Sequence, residues 1–352
     1  MSSPIRAARF HGRHDLRVEE IDPLGTPEPG WVRIAVEACG ICATDTHEYR
    51  AGPVIIPPTP HPVSGRSMPL TMGHEPAGRV IEVGDGVAVS VGTRVAVETN
   101  VVCHSCFWCA MGDFQLCSKL VGLGLMADGG LAEEMLAPAY MCFPCDDVAP
   151  TAAALAEPLS VAVRAVRRGG VTSGSTIGIV GAGTIGLLLL QVARHAGAET
   201  IVVIEPVQER RACALRLGAD LAIEPPEARS AVAELTGTIG LDVTFESAGH
   251  ADAAALAVEL ARRGGRTVLM GVSTQELRLS LMDMLLDEKE VTTSLSHAYA
   301  TDFASAVDLL RRGRIDTASI VTDEVPLADV VDAFRMVLEE PDRHLKVMVL
   351  PR

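Results

Sequence analysis

The chain has 352 residues, 48% of them apolar and 21% charged, with a formal net charge of -15. Such a length exceeds one comfortable hydrophobic core, so two domains are expected. The acidity argues against a nucleic-acid backbone or an anionic membrane as the main partner, and the opening MSSPIRAARFHGRHDL lacks the apolar stretch of a secretory signal.

These features point to a cytoplasmic protein with neither a nucleic-acid nor a membrane partner. In a reducing cytoplasm disulfides are rare, and clustered cysteines indicate metal or redox chemistry instead. The most apolar tract, residues 176–193, carries four glycines and a glutamine, which does not suit a membrane span.

The first 150 residues read as short strands between Gly and Pro turns, among them Val32–Val36, Arg79–Val83 and Arg94–Val97. Between the first two of these lies GPVIIPPTPHPVSGRSMP, residues 52–69, whose six prolines predict a long irregular loop. Beyond residue 150, Ala-rich helical patterns alternate with compact apolar strands at Thr176–Val180, Thr200–Ile204, Val243–Phe245 and Arg266–Met270. That alternation predicts βαβ units around a parallel sheet, an α/β fold. A helix over Asp302–Arg312 and a strand over Lys346–Leu350 complete the pattern.

Four cysteines, Cys103, Cys106, Cys109 and Cys117, fall within fifteen residues at C-x2-C-x2-C-x7-C spacing. Four thiolates around tetrahedral zinc leave no open position, so this set is structural. Catalysis needs another metal site. Cys42 in CGICATDTHEY, His74 and Glu75 in GHEPAG, and Glu157 at the start of EPL supply thiolate, imidazole and carboxylate ligands, enough to hold zinc with one position open.

The strand TIGIV runs into Gly181, Gly183, Ile185 and Gly186 of GAGTIG, and an apolar helical stretch follows. Glycines there allow a tight turn and close approach of a pyrophosphate to the helix N-terminus. Glu205 ends the next strand, nineteen residues beyond Gly186. A carboxylate there binds ribose hydroxyls and repels a 2′-phosphate, which favours NAD, while Arg210 and Arg211 follow closely.

Taken together, CGIC-x-x-D-x-H, GHE-x-x-G, the four-cysteine loop, EPL and GAGTIG resemble the zinc-dependent medium-chain dehydrogenases, collinearly from about residue 5 onward. Within them the chain looks most like the polyol branch of sorbitol and butanediol dehydrogenases. The resemblance implies a GroES-like β-rich catalytic domain, 1–155 completed by 296–352, and a Rossmann doubly wound domain at 156–295. It implies NAD and two zinc ions per subunit, and a secondary alcohol of a polyol, vicinal diol or modified sugar, or the matching ketone, as substrate. It also implies a homodimer or homotetramer.

Carried over by residue, the resemblance makes Cys42 and His74 catalytic zinc ligands, with Glu75 or Glu157 as the third. Pro158 restrains the backbone at Glu157, which favours Glu157, either as the ligand or as the holder of the metal-bound water. Thr44 receives the substrate proton and His47 passes it to solvent. Ser294, Leu295 and Ser296 fall near the nicotinamide, and His297 near the substrate. Pro76, Glu48 and His297 depart from the branch at positions near the pocket, which bears on the substrate rather than the reaction. Alternatives are an NADP-dependent carbonyl reductase or a threonine-dehydrogenase-like enzyme, and, in another class, a zinc-stabilised binding protein without activity.

Three further features have plainer readings. Cys142 and Cys145 fit a strand entering a turn, Cys39 and Cys213 fit small core positions, and Glu133 with Glu134 fits a solvated face.

Overall fold

The computed structural model describes residues 3–351. The chain divides into two compact units, one of Met1–Glu157, His297–Gly313 and Ile320–Arg352, the other of Pro158–Ser296 and Arg314–Ser319.

The first unit is built on a seven-stranded sheet. Its path runs Cys142–Pro144, Arg94–Val97, Glu75–Val83, Trp31–Gly40, Lys346–Leu350 and Val321–Pro326, and Glu134–Pro138 also pairs with Trp31–Gly40. Pairing within this path is antiparallel except where Val321–Pro326 meets Lys346–Leu350. Alternation places Val32, Ile34 and Val36 in the core with Val80, Val95, Val347 and Val349. The strand Lys346–Leu350 is thus inserted beside Trp31–Gly40, far from it in sequence.

A short helix, Ala43–Ala51, follows directly from Trp31–Gly40. Its Tyr49 ring packs edge-on at 5.7 Å from Phe334, on the helix Val330–Glu339. Residues 52–69 form an irregular stretch with exposed Val54 and Val63, as expected.

The second unit carries a six-stranded, wholly parallel sheet in the order Leu221–Ile223, Thr200–Ile204, Thr176–Val180, Leu241–Glu246, Ala261–Leu269, Glu290–Thr293. Its central strands are buried along nearly their whole length, which is why they read as continuous apolar runs. The sequence order reverses across Thr176–Val180, the switch point at whose C-terminal side such sheets bind ligands.

Some boundaries move. The strand expected at Arg266–Met270 spans Ala261–Leu269. The helix expected at Asp302–Arg312 is a π turn, Tyr299–Phe303, leading into Ala304–Arg311. Glu133 and Glu134 are not a free solvated face: Glu133 pairs with Arg6 at 2.9 Å, and Glu134 lies 3.8 Å from Arg33. Cys142 and Cys145 are buried beside Arg94–Val97, and burial pushes their thiols up to about 12 and about 11. Among the described residues, no helix is long and apolar enough to cross a membrane.

Candidate metal and cofactor sites

The four-cysteine segment closes on itself. Sγ of Cys117 lies 3.5 Å from Cys103 and 3.9 Å from Cys106. Tetrahedral zinc with bonds of about 2.3 Å sets its sulfurs roughly 3.8 Å apart, so the cage already has the dimensions of the ion. Backbone N–H groups of Cys109 and Ser118 bring the Cys106 thiol down to about 5, ready as a thiolate at neutral pH. The segment has only a small core of its own, Val102, Cys109 and Cys117, so a closed metal would supply the rigidity that packing does not.

The second set gathers from two parts of the chain. Ligand atoms of Cys42, His74 and Glu75 all lie within 4.8 Å of one another. Cys42 is the N-cap of Ala43–Ala51, where the Asp45 N–H donates to its sulfur and the Asp45 carboxylate accepts the Cys42 N–H at 2.9 Å. The same carboxylate reaches His74 Nδ1 at 3.2 Å. That leaves Nε2 as the ligating nitrogen and fixes the ring, the arrangement by which carboxylates orient metal-binding histidines. Burial lowers the His74 pKa, but Asp45 and Cys42 outweigh it and raise it well above the usual value.

Glu75 begins the strand Glu75–Val83 and is 1% exposed. Both its oxygens accept from Lys346 Nζ, at 2.8 and 2.6 Å, and the third Lys346 proton goes to the Ile41 carbonyl at 3.0 Å. Burial lowers the Lys346 pKa, and Glu75 more than reverses this. A Cβ on Gly40 would overlap the Glu75 carboxylate, so the glycine makes room for it. Neither Asp45 nor Lys346 was singled out from the sequence; Asp45 stood in view inside CATDTH, whereas nothing local marks Lys346.

Glu157, the favoured third ligand, does not join this set. It lies in the first turn of the helix Ala156–Gly169, with Oε1 3.6 Å from His297 Nδ1. Burial raises its carboxyl pKa, against the pull of His297 and His74. His297 itself is 1% exposed and faces the carboxylates of Glu98 and Glu157. Glu48 also turns inward, its carboxylate accepting the N–H groups of Val54 and Ile55 at the start of the proline-rich loop. Two of the three departures expected near the pocket, Glu48 and His297, are thus buried and held by internal partners. Thr44 and His47, on the same short helix as Asp45, remain partly exposed.

In the second unit the glycine loop has the expected form. Gly181 has φ of +101°, and a Cβ on Gly186 would overlap the Gly181 carbonyl. Nothing lies within 4 Å of a Cβ placed on Gly183, which leaves that face of the loop open, and Ile185 follows in the first turn of the helix Thr184–His195. Glu205 ends Thr200–Ile204, and its carboxylate accepts from Ala182 N–H at 2.7 Å and Val207 N–H at 3.0 Å. Arg211 is committed to the Glu205 and Pro206 carbonyls and to Glu224, while Arg210 is partly buried beside it. Ser294 is buried with its Oγ unpartnered, Leu295 is exposed, and Ser296 has φ of +50°.

Known proteins resemble this chain along nearly its whole length. Residues 28–147 match the alcohol dehydrogenase GroES-like domain, and residues 184–312 match the zinc-binding dehydrogenase domain. (R,R)-butanediol dehydrogenase of Bacillus subtilis is 33% identical over 99% of this chain and 100% of its own. The chain belongs to the zinc-dependent medium-chain dehydrogenases, in their polyol branch. Sorbitol dehydrogenase of the same organism is 31% identical over 99% of this chain and 97% of its own. The crystal structure of 2R,3R-butanediol dehydrogenase from Bacillus subtilis superposes with a TM-score of 0.92, covering 99% of this chain and 100% of that one. This medium-chain dehydrogenase is thus a zinc-dependent oxidoreductase that uses a nicotinamide cofactor.

Because Asp45 holds both the Cys42 backbone and the His74 ring, Asp45→Asn should keep the helix cap and weaken the grip on the imidazole. Competitive chelation should show metal affinity of the Cys42, His74 and Glu75 set falling by about 10–100-fold. Unchanged affinity would mean that the ring is held by packing alone.

Proposed function

We propose that this polyol dehydrogenase is NAD-dependent, carries two zinc ions per chain and oxidises a secondary alcohol, with a vicinal diol as the favoured substrate class. The observation that carries the reading is the pairing of a closed four-thiolate cage with a separate set of one thiolate, one imidazole and one carboxylate. The names of the similar proteins, butanediol and sorbitol dehydrogenases, support the substrate class.

Cys42, His74 and Glu75 would hold the catalytic zinc, and Cys103, Cys106, Cys109 and Cys117 the structural one. When bound, zinc supplies Lewis acidity toward the alcohol oxygen, and the nicotinamide accepts the hydride. The chain's own residues do the rest. Glu157, near the charges of His74 and Glu75 but outside their set, orients the alcohol group or the water it displaces. The Thr44 hydroxyl takes the alcohol proton, and His47 hands it to solvent. Glu205 and the Gly181, Gly183 and Gly186 loop receive the dinucleotide, with Arg210 alongside, and Ser294 to Ser296 receive its nicotinamide end. All nine cysteines are free thiols, in keeping with a reducing cytoplasm.

A homodimer or homotetramer is also proposed. The helix Leu281–Asp287 exposes Leu281, Met282, Leu285 and Leu286 at 61–84%, next to the edge strand Glu290–Thr293. Contiguous apolar surface beside an unpaired strand edge is characteristic of an interface between copies.

Elemental analysis should find two zinc ions per chain. Glu75→Ala should lose one of them, whereas Glu157→Ala should keep both and lose turnover; the opposite pattern would restore Glu157 as the ligand. Replacing Glu205 with Gln should narrow the preference for NAD over NADP by about tenfold, roughly 1.4 kcal/mol. A native preference for NADP would instead assign Arg210 to the 2′-phosphate. Light scattering should give a multiple of the chain mass, and Leu285→Glu should reduce it; a monomeric native protein would refute the assembly.

A further inference from the structure

Glu98 and Thr99 link the strand Arg94–Val97 to Asn100, the first residue of the strand Asn100–Val101. Each bonds inward. The Thr99 hydroxyl donates to the His74 carbonyl at 3.0 Å. Glu98 Oε2 lies 2.5 Å from His297 Nε2, and Asn100 Nδ2 lies 3.3 Å from the same nitrogen. The other ring nitrogen of His297 faces Glu157 at 3.6 Å, within ion-pair range.

His297 is itself braced. Asp302 accepts the Ala298 N–H at 2.9 Å, and the Phe303 ring lies 5.8 Å from the imidazole. The side chains of Glu98 and His297 have no exposed surface, and that of Glu157 has 11%. Burying three such groups is costly unless each finds a partner of opposite charge in good geometry.

One short segment therefore grips the backbone of a metal ligand with Thr99 and, through His297, the carboxylate of Glu157 with Glu98. We infer that Glu98 and His297 are positioning residues: they fix where the Glu157 carboxylate stands relative to His74, and so set turnover without touching substrate or metal. This inference rests on the proposed role of Glu157 and adds the device that holds it in place.

A double-mutant cycle on the zinc-loaded enzyme tests it. His297→Gln and Glu98→Gln should each lower kcat by about 10–100-fold, with KM for NAD and zinc content unchanged. In a Glu157→Gln background, adding His297→Gln should cost nothing further, because the carboxylate it positions is already gone. A crystal structure of His297→Gln should show the Glu157 carboxylate displaced while Cys42, His74 and Glu75 stay together.

Each failure has its own signature. If Glu157→Gln alone leaves kcat unchanged, the role given to Glu157 is wrong, and the inference falls with it. If Glu157→Gln lowers kcat but His297→Gln does not, or the two losses multiply, the positioning inference alone is overturned. Should His297→Gln misfold, Glu98→Gln carries the same comparison, since it keeps the shape and removes only the charge.

Discussion

The first unit is organised around one buried ion pair, Lys346 with Glu75. Moving two charges out of water costs several kcal/mol per ion, and only full coordination repays it. Here coordination is full on the cation: three ammonium protons meet two carboxylate oxygens and one backbone carbonyl. The pair dictates much of its surroundings. Gly40 has no side chain because the carboxylate occupies that space, and Lys346–Leu350 must pair with Trp31–Gly40 for the ammonium to arrive. Glu75 then stands beside His74 with its direction already chosen, so the metal proposed above would meet a formed ligand set.

The charges around this pair follow a consistent scheme. Asp45, Glu75, Glu98 and Glu157 converge with the Cys42 thiol on a small volume, offset within the chain by Lys346 and two histidines. A dication is the natural complement of that surplus. The second unit is built differently, through backbone: its glycines clear space, and two N–H groups hold the Glu205 carboxylate while leaving it lone pairs for the ribose hydroxyls proposed above.

How much of this was legible in the sequence depended on the range of each interaction. The glycine loop and the cysteine cage are local, since strand, turn and helix or four close thiols carry their geometry in their spacing. Cys42, His74 and Glu75 were legible as residue types, but which carboxylate completes them was not. Pro158 suggested a reaching Glu157, yet that residue sits in the first turn of a helix and turns to His297. The family resemblance sets His297 near the substrate; that it is buried between Glu98 and Glu157 depends on residues distant in sequence, which no local pattern reveals. Lys346 lies 271 residues from Glu75, and no local pattern distinguishes a buried lysine at a strand start from an exposed one.

The position of Lys346–Leu350 also orders events during synthesis. Until those residues emerge, the sheet of the first unit lacks an internal strand, and the Glu75 carboxylate has no counter-charge for burial. By then the segments Thr176–Val180 through Glu290–Thr293 have all been made, and the parallel sheet can close. The parallel-sheet unit is thus able to form before the first unit is complete, and Glu75 gains its counter-charge only from the last strand of the chain.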